Sequence, residues 1–537
     1  MTQEKDIPAY ALQVARAPRI IPCQAVYHTE NMMTPGGRQI AVYQFEEDIL
    51  VPDTKEDMAE ILLMEADCDV QPAERKLSQK GDDLLNLTGT LTVQTLYRPE
   101  YADCLPVSIT SKVPYQYQWH LQCSDPAEGR FSCRVKSLES MVMNERKFRV
   151  KVTLEFSCML YMEQELSLFQ GLEQEELEMK TEEVSLCALT TTKKEVLDLD
   201  AWVDCSGSKN EPTELLQQNY ILTENYRQVT SEKIVLNGFV FAEFLYRARD
   251  EEGKENICCQ KGRIEFTQFL PLEKKYRGKK WSLVKTGFSG RGLRAALEKK
   301  EDGMPGFHVE GKVETLVSLY ENREMEMVAD AYHQDKAFSC SFQTQRKKDL
   351  SCIGTNELSF RELIHLPEGA KAEDAVCVRC HPCSWSCQAE KDRLHLSVEM
   401  EAVCLWKTDD EYRITKVKHS LQQTVEAEGM EPTTEVNLEI MPKDCRLTLL
   451  SERQMELAGA LNLCWEGCIE KEILLLTSPG FVEGDLHKGA AMVITMMEEG
   501  EDLWTLAKRH HTTEARIRSI NRLESSPAAT QKLLIIK

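Results

Sequence analysis

A mostly β protein is predicted, with three tandem β-rich domains followed by a small module of strand, helix, helix and strand. Two observations carry this. A pair of alternating strands recurs three times with matched internal spacing, and near residue 490 the apolar period changes from two to the helical value of about 3.6. Length agrees, because 537 residues exceed what one core organises and fit three to four domains.

Composition sets the limits. With 42 % apolar and 28 % charged residues, the chain has enough apolar material to fold around cores. Its longest apolar runs, such as Ile473 to Leu476 and Leu533 to Ile536, fall far short of a bilayer span, so no membrane insertion is expected. The start, Met1 to Asp6, shows neither the cationic stretch nor the apolar core of an export signal, and the expected location is cytoplasmic. Formal net charge is −23, with 88 acidic against 65 basic side chains. That balance argues against nucleic acid as a partner, since neutralising phosphates takes clustered Lys and Arg. The charge is uneven: from Ala490 onward seven basic residues face six acidic ones, giving the tail +1 and the remainder −24. Twenty cysteines in so long a chain read as reduced and structural; Cys158, inside the apolar stretch Phe156 to Leu160, behaves there as a small hydrophobe.

The first repeated strand runs Leu85-Asn86-Leu87-Thr88-Gly89-Thr90-Leu91 to Leu96-Tyr97. Its copies are Ile234-Val235-Leu236-Asn237-Gly238-Phe239-Val240 to Leu245-Tyr246, and Leu394-His395-Leu396-Ser397-Val398-Glu399-Met400 to Leu405-Trp406. Strict alternation predicts a strand with one buried face, and the shared Gly89/Gly238 position suits a bulge or a close backbone approach. The second strand runs Phe148 to Tyr161, with copies from Phe307 to Tyr320 and from Met455 to Trp465. An apolar stretch precedes each first strand: Ile61 to Val70, Leu215 to Leu222, Ala375 to Cys380. The expected organisation is an N-terminal segment at 1–44, repeats at 45–165, 195–325 and 358–476, and a terminal module at 490–537. The segment before the first repeat shows no strong pattern.

This layout resembles the SPOCS domain, the β-rich repeat of bacterial spore-coat morphogenetic proteins. The resemblance rests on the Leu-x-Leu-x-Gly-x-Leu…Leu-Tyr strand and on the turn Asn144-Glu145-Arg146-Lys147 before the second strand. Copy two departs from it by a Lys-rich insertion around Lys274 to Lys280, and copy three by Val398 in place of Gly.

The tail reads differently. Val493-Ile494-Thr495-Met496 predicts a short strand, and Asp502 is placed to cap a helix whose Leu503, Leu506 and Ala507 share one face. Lys508 and Arg509 suit that helix's C-terminal end, His510-His511-Thr512 turns the chain, and Thr513 caps a second helix through Ile517 and Ile520 to Asn521. A closing strand, Lys532 to Ile536, can pair with the first. About 46 residues in this order form a compact unit able to fold by itself, though marginally.

That order resembles a LysM module. Gly500-Glu501-Asp502-Leu503-Trp504 matches the family's Gly-Asp-Thr-Leu-Trp opening, Leu506-Ala507-Lys508-Arg509 its next segment, Asn521 its helix-ending Asn, and Lys532 to Ile535 its last strand. Thr530 and Ile536 depart from the family's Gly and Pro. The resemblance nominates Gly500, Glu501, Asp502 and Leu503 on one side of a binding groove, and Leu523, Ser525, Ser526 and Pro527 on the other. Trp504, Ala507, Ile517 and Asn521 are assigned to structure; Asp502, as a cap, has a structural reading as well.

Two further motifs invite chemistry. Cys377, Cys380, Cys383 and Cys387 have the spacing of an iron–sulfur run, yet they lie on the upstream strand of repeat three, where alternate residues face opposite ways. No metal is therefore assigned. Gly287-Phe288-Ser289-Gly290-Arg291-Gly292 lacks the Gly-Lys-Ser/Thr ending of a nucleotide loop and reads as a turn between strands. No nucleophile elbow or metalloprotease helix is present, and no cofactor is expected.

Taken together, the chain is similar to the SipL-type spore coat and cortex morphogenesis proteins. The resemblance implies a non-enzymatic mother-cell protein recruited to the developing spore surface. Its LysM module would dock on a coat basement-layer ATPase of the SpoIVA type, and its β repeats would act as scaffold toward other coat proteins. The alternative is LysM-mediated binding of peptidoglycan or other N-acetylglucosamine polymers.

Overall fold

The computed structural model describes residues 19–536 except 72–73, 78–81, 102–104, 123–126, 206–209, 302, 366–374, 409–410, 452–453, 484–490, 499–500 and 525–530. The described chain is mostly β. After β1 (Ile20–Pro22), strands fall into three sets with one order: a long strand, a three-stranded meander, a medium strand and a second long strand. Set 1 holds β2 (Ala25–Leu50), β3 (Met58–Gln71), β4 (Glu74–Leu77), β5 (Asp82–Pro99), β6 (Val107–Gln122), β7 (Ala127–Asn144) and β8 (Lys147–Leu172). Set 2 holds β9 (Glu178–Asp204), β10 (Glu211–Val229), β11 (Lys233–Arg249), β12 (Glu255–Pro271), β13 (Leu283–Lys299) and β14 (Pro305–Tyr332). Set 3 holds β15 (Phe338–His365), β16 (Ala375–Glu390), β17 (Arg393–Thr408), β18 (Glu411–Glu426), β19 (Glu435–Ser451) and β20 (Gln454–Val482).

In each set the meander is one antiparallel sheet, and the remaining strands form a second sheet with the last long strand central; β4 extends that sheet beside β7 in set 1, and β1 joins it beside β20 in set 3. Alternation explains the central strands. Phe148, Val150, Val152 and Leu154 of β8 are fully buried while Arg149 and Lys151 between them reach the rim. Each such side chain contributes about 1.5–3 kcal/mol on burial. Gly238 makes a close approach, because a Cβ there would meet the ring of its cross-strand partner Phe266 at 2.3 Å. Gly89 is the register partner of Tyr115 in β6.

The full length of the long strands was not visible in the sequence, and the expected bounds fall inside them: 165 in β8, 195 in β9, 325 in β14, 358 in β15 and 476 in β20. Much of the patternless segment 1–44 is strand β2. Their second halves leave the set's own core for a shared one. Leu166, Met325 and Ile473 occupy the same position of β8, β14 and β20, and all three lie in one buried cluster together with Leu168, Met327 and Leu475. Leu96, Leu245 and Leu405, equivalent in β5, β11 and β17, share another. Convergence of equivalent residues requires the sets to be related by an approximate three-fold rotation, closing into one body instead of standing as beads in tandem. Polar contacts run around the ring in one sense. Arg130 of β7 donates to Ser318 of β14, Lys285 of β13 pairs with Glu466 of β20 at 2.8 Å, and Asn437 of β19 accepts from Arg38 of β2.

A β-bulge marks the same place in each set: at Pro35/Gly37 opposite Tyr161, at Thr191/Leu189 opposite Tyr320, and at Leu350/Cys352 opposite Cys468. Each bends the outer long strand where its neighbour passes from its own core into the shared junction. The phenols of Tyr161 and Tyr320 meet there at 2.7 Å.

The Gly287 to Gly292 segment is not a turn. It lies within β13, which bulges between Arg291 and Arg294 with Gly292 in the left-handed region (φ 61°). The Lys-rich insertion is a single 3₁₀ turn, Lys274–Tyr276.

Candidate functional site

The C-terminal elements are β21 (Met492–Met496), α1 (Leu503–His510), α2 (Glu514–Asn521) and β22 (Lys532–Ile536), with β21 antiparallel to β22. Each helix starts on a side-chain cap: Asp502 accepts from the Thr505 amide at 2.9 Å and Thr513 from the Arg516 amide at 3.0 Å. Each ends on a left-handed residue, His511 and Arg522. Asn521 ties α2 to the sheet, donating to the Leu534 carbonyl and accepting from the Leu534 amide, both at 2.7 Å. Trp504, Leu506, Ala507, Ile517, Leu533 and Ile535 form the core.

That core is completed from outside. Tyr332, at the end of β14, is buried within it, its ring edge-on to Trp504 with centroids 4.9 Å apart and its hydroxyl donating to the Thr512 carbonyl at 2.6 Å. A body residue therefore supplies part of the unit's apolar filling. Two crossed ion pairs pin α1. Lys180 of β9 meets Asp502 at the helix start at 2.8 Å, and Asp330 of β14 meets Lys508 in the last turn at 2.6 Å. Lys180 and Asp330 are themselves cross-strand partners, placed by a bulge between Val328 and Asp330. Asp330 also accepts from the Trp504 indole at 2.8 Å.

Electrostatics follow the geometry. The Lys180 ammonium and the Thr505 hydroxyl and amide hold the Asp502 carboxyl well below its usual range. Burial pushes the Asp330 carboxyl up, but hydrogen bonds from Lys508 and Trp504 outweigh it and leave the group below its usual range.

Of the nominated groove residues, Gly500, Ser525, Ser526 and Pro527 lie outside the described residues. The described four are engaged elsewhere. The Glu501 side chain is 7 % exposed, bound by Arg509 at 3.1 Å and by the Glu498 amide at 3.0 Å. Asp502 is cap and ion-pair partner, Leu503 is core, and Leu523 packs against that core. Sequence reasoning missed Lys180, Asp330 and Tyr332. The one local signal is a carboxylate set into the apolar stretch Val328 to Tyr332.

The cysteine run does not converge. Cys377 is buried in the cluster where the three sets meet, Cys380 in the core of set 3, Cys387 at that core's edge, and Cys383 is exposed. No group of three or more His, Cys, Asp or Glu that could hold a metal occurs among the described residues. Between Cys377 and Cys380 sits Arg379, 4 % exposed, donating to Glu243 of β11 at 2.7 Å, to Gln217 of β10 at 2.9 Å and to Glu65 of β3 at 3.3 Å. It thereby joins all three sets. Burial pushes the Glu65 carboxyl up, and the facing His381 and Arg379 bring it down to about 2.

Among the described residues, no helix is long and apolar enough to cross a membrane. Compared with the profiles of known protein families, with curated proteins and with solved structures, the chain gave no match.

Proposed function

We propose that this chain is a non-enzymatic assembly protein of the SipL type, with three SPOCS-like domains as scaffold and a LysM-like module as its hook. The hook docks on a polymerised coat morphogenetic ATPase of the SpoIVA type, in the mother cell, and the body recruits other coat proteins. The observation that carries this reading is a division of labour. The only helices of eight residues among those described are gathered in one small unit of charge +1, held against a mostly β body of charge −24. Because the Asp502–Leu503 side of the module is turned to the body, another face is left for a partner. This is the outer face of β21, with Met492, Ile494 and Met496 exposed. One small module binds weakly, and many copies facing a polymer gain through effective concentration.

The test is co-sedimentation of the full chain, and of a chain lacking 490–537, with polymerised SpoIVA-type ATPase and separately with purified sacculi. The full chain is expected to pellet with the polymer alone, and the shortened chain to stay in solution. Pelleting with sacculi alone transfers the assignment to glycan binding. Equal pelleting of the shortened chain with the polymer removes the module from the contact and ends this reading.

A further inference from the structure

Among the described residues, two cysteine pairs meet between sheets, one at the edge of a core and one deep inside a core. Cys68 of β3 and Cys133 of β7 are 65 residues apart in sequence, yet their sulfurs lie 3.3 Å from one another. They belong to the two different sheets of set 1: Cys68 is opposite Leu91 in the meander, and Cys133 is opposite Phe156 in the second sheet. Both are half-buried, at the edge of the set's core, where a small oxidant can reach them.

The geometry points to a modification site: we propose that Cys68 and Cys133 form a reversible disulfide with hydrogen peroxide, stapling the two sheets of set 1 together. One thiolate attacks a peroxide oxygen, the O–O bond breaks, and a sulfenic acid and water result. The second thiol then displaces the hydroxyl from that sulfur as water, forming the S–S bond. Two thiols and one hydrogen peroxide thus give one disulfide and two waters; both sulfurs are oxidised and both peroxide oxygens reduced. In a thiol-buffered compartment the pair stays open. Closing it joins a long loop, and constraining such a loop in the unfolded chain raises stability.

Set 3 supplies an internal control. Cys380 of β16 and Cys445 of β19 also meet between two sheets, beside Cys404, but all three are buried. The contact with Cys445 and burial both push the Cys380 thiol up, and burial pushes Cys404 up to about 12, so the reactive thiolate is scarce. This pair closes far more slowly.

The experiment treats the reduced full chain with hydrogen peroxide, blocks remaining thiols, and maps linked peptides by mass spectrometry. Expected is a 68–133 linkage, reversed by reductant and formed at least ten times faster than any 380–445 linkage. The melting temperature should rise by several degrees in wild type and stay unchanged in Cys133→Ser. The proposal is overturned if Cys68 and Cys133 are recovered as blocked thiols or as separate over-oxidised acids. It is equally overturned if a linkage at 380–445 forms first. Linkage mapping needs only the wild-type chain, so poor folding of a variant leaves the test intact.

Discussion

Two junctions in this molecule do opposite work. Where the three sets meet, equivalent apolar side chains leave water completely: Leu96, Leu245 and Leu405 are all fully buried. Where the C-terminal module meets set 2, one tyrosine enters a small core and two ion pairs close over it with their side chains still 28–50 % exposed. Burial of the first kind resists change of any sort, because filling and desolvation are lost together. The second rests on contacts that solvent already screens. The first is a permanent closure and the second a latch, and five measurements break or sharpen that distinction.

Arg379→Ala should do the most damage, because it removes the buried guanidinium that joins all three sets and leaves Glu65 with only His381 and Glu243 with only Lys261. A loss of about 3–5 kcal/mol is expected by chemical denaturation; a loss under 1 kcal/mol, a threshold of about one ordinary hydrogen bond, would show that the ring does not depend on this contact. Leu245→Ala should cost about 3 kcal/mol by emptying space that three sets share. All three sets should lose stability together, and hydrogen exchange speeding up in set 2 alone would contradict a common junction.

At the latch, Tyr332→Ala removes a ring from the module's core and should cost roughly 2 kcal/mol locally. Exchange protection at Leu506 and Ala507 should fall while that of Val150 and Val309 is unchanged. Acid should open the same contact. Both Asp502 and Asp330 are held below the usual carboxylate range, so the docked state binds fewer protons than the undocked one. Its stabilisation is complete above the ordinary carboxylate value of about 4 and disappears as pH falls through the lowered values. The Trp504 fluorescence, taken as wild type minus Trp504→Phe, should shift between roughly pH 4 and 2, with no change above. Lys180→Ala should have the smallest effect, within about 1 kcal/mol, since its pair is half-exposed. A larger effect would mean that the pair is more shielded than its exposure indicates.

Much of this fold was legible because the central strands β5, β8, β11, β14, β17 and β20 bury one face along most of their inner halves, and alternation reports that directly. The outer strands β2, β9 and β15 were not, since the bulges at Gly36, Thr190 and Ser351 shift the alternation by one residue partway along. Between residues 155 and 161, β8 is buried on both faces, which also erases the pattern. In the tail, Asp502 and Thr513 announced their helices because capping is local chemistry. Lys180, Asp330 and Tyr332 act across more than 150 residues of chain, and no periodicity records such a contact. Arg379 was hidden among cysteines whose spacing drew attention to a different chemistry.

The three-fold closure bears on stoichiometry. Three separate identical subunits would carry three tails and three equal lobes. Writing the lobes into one polypeptide let their sequences diverge, so that only β9 and β14 offer Lys180, Asp330 and Tyr332 to the module. The block is consequently asymmetric: a single C-terminal unit is held through residues of β9 and β14.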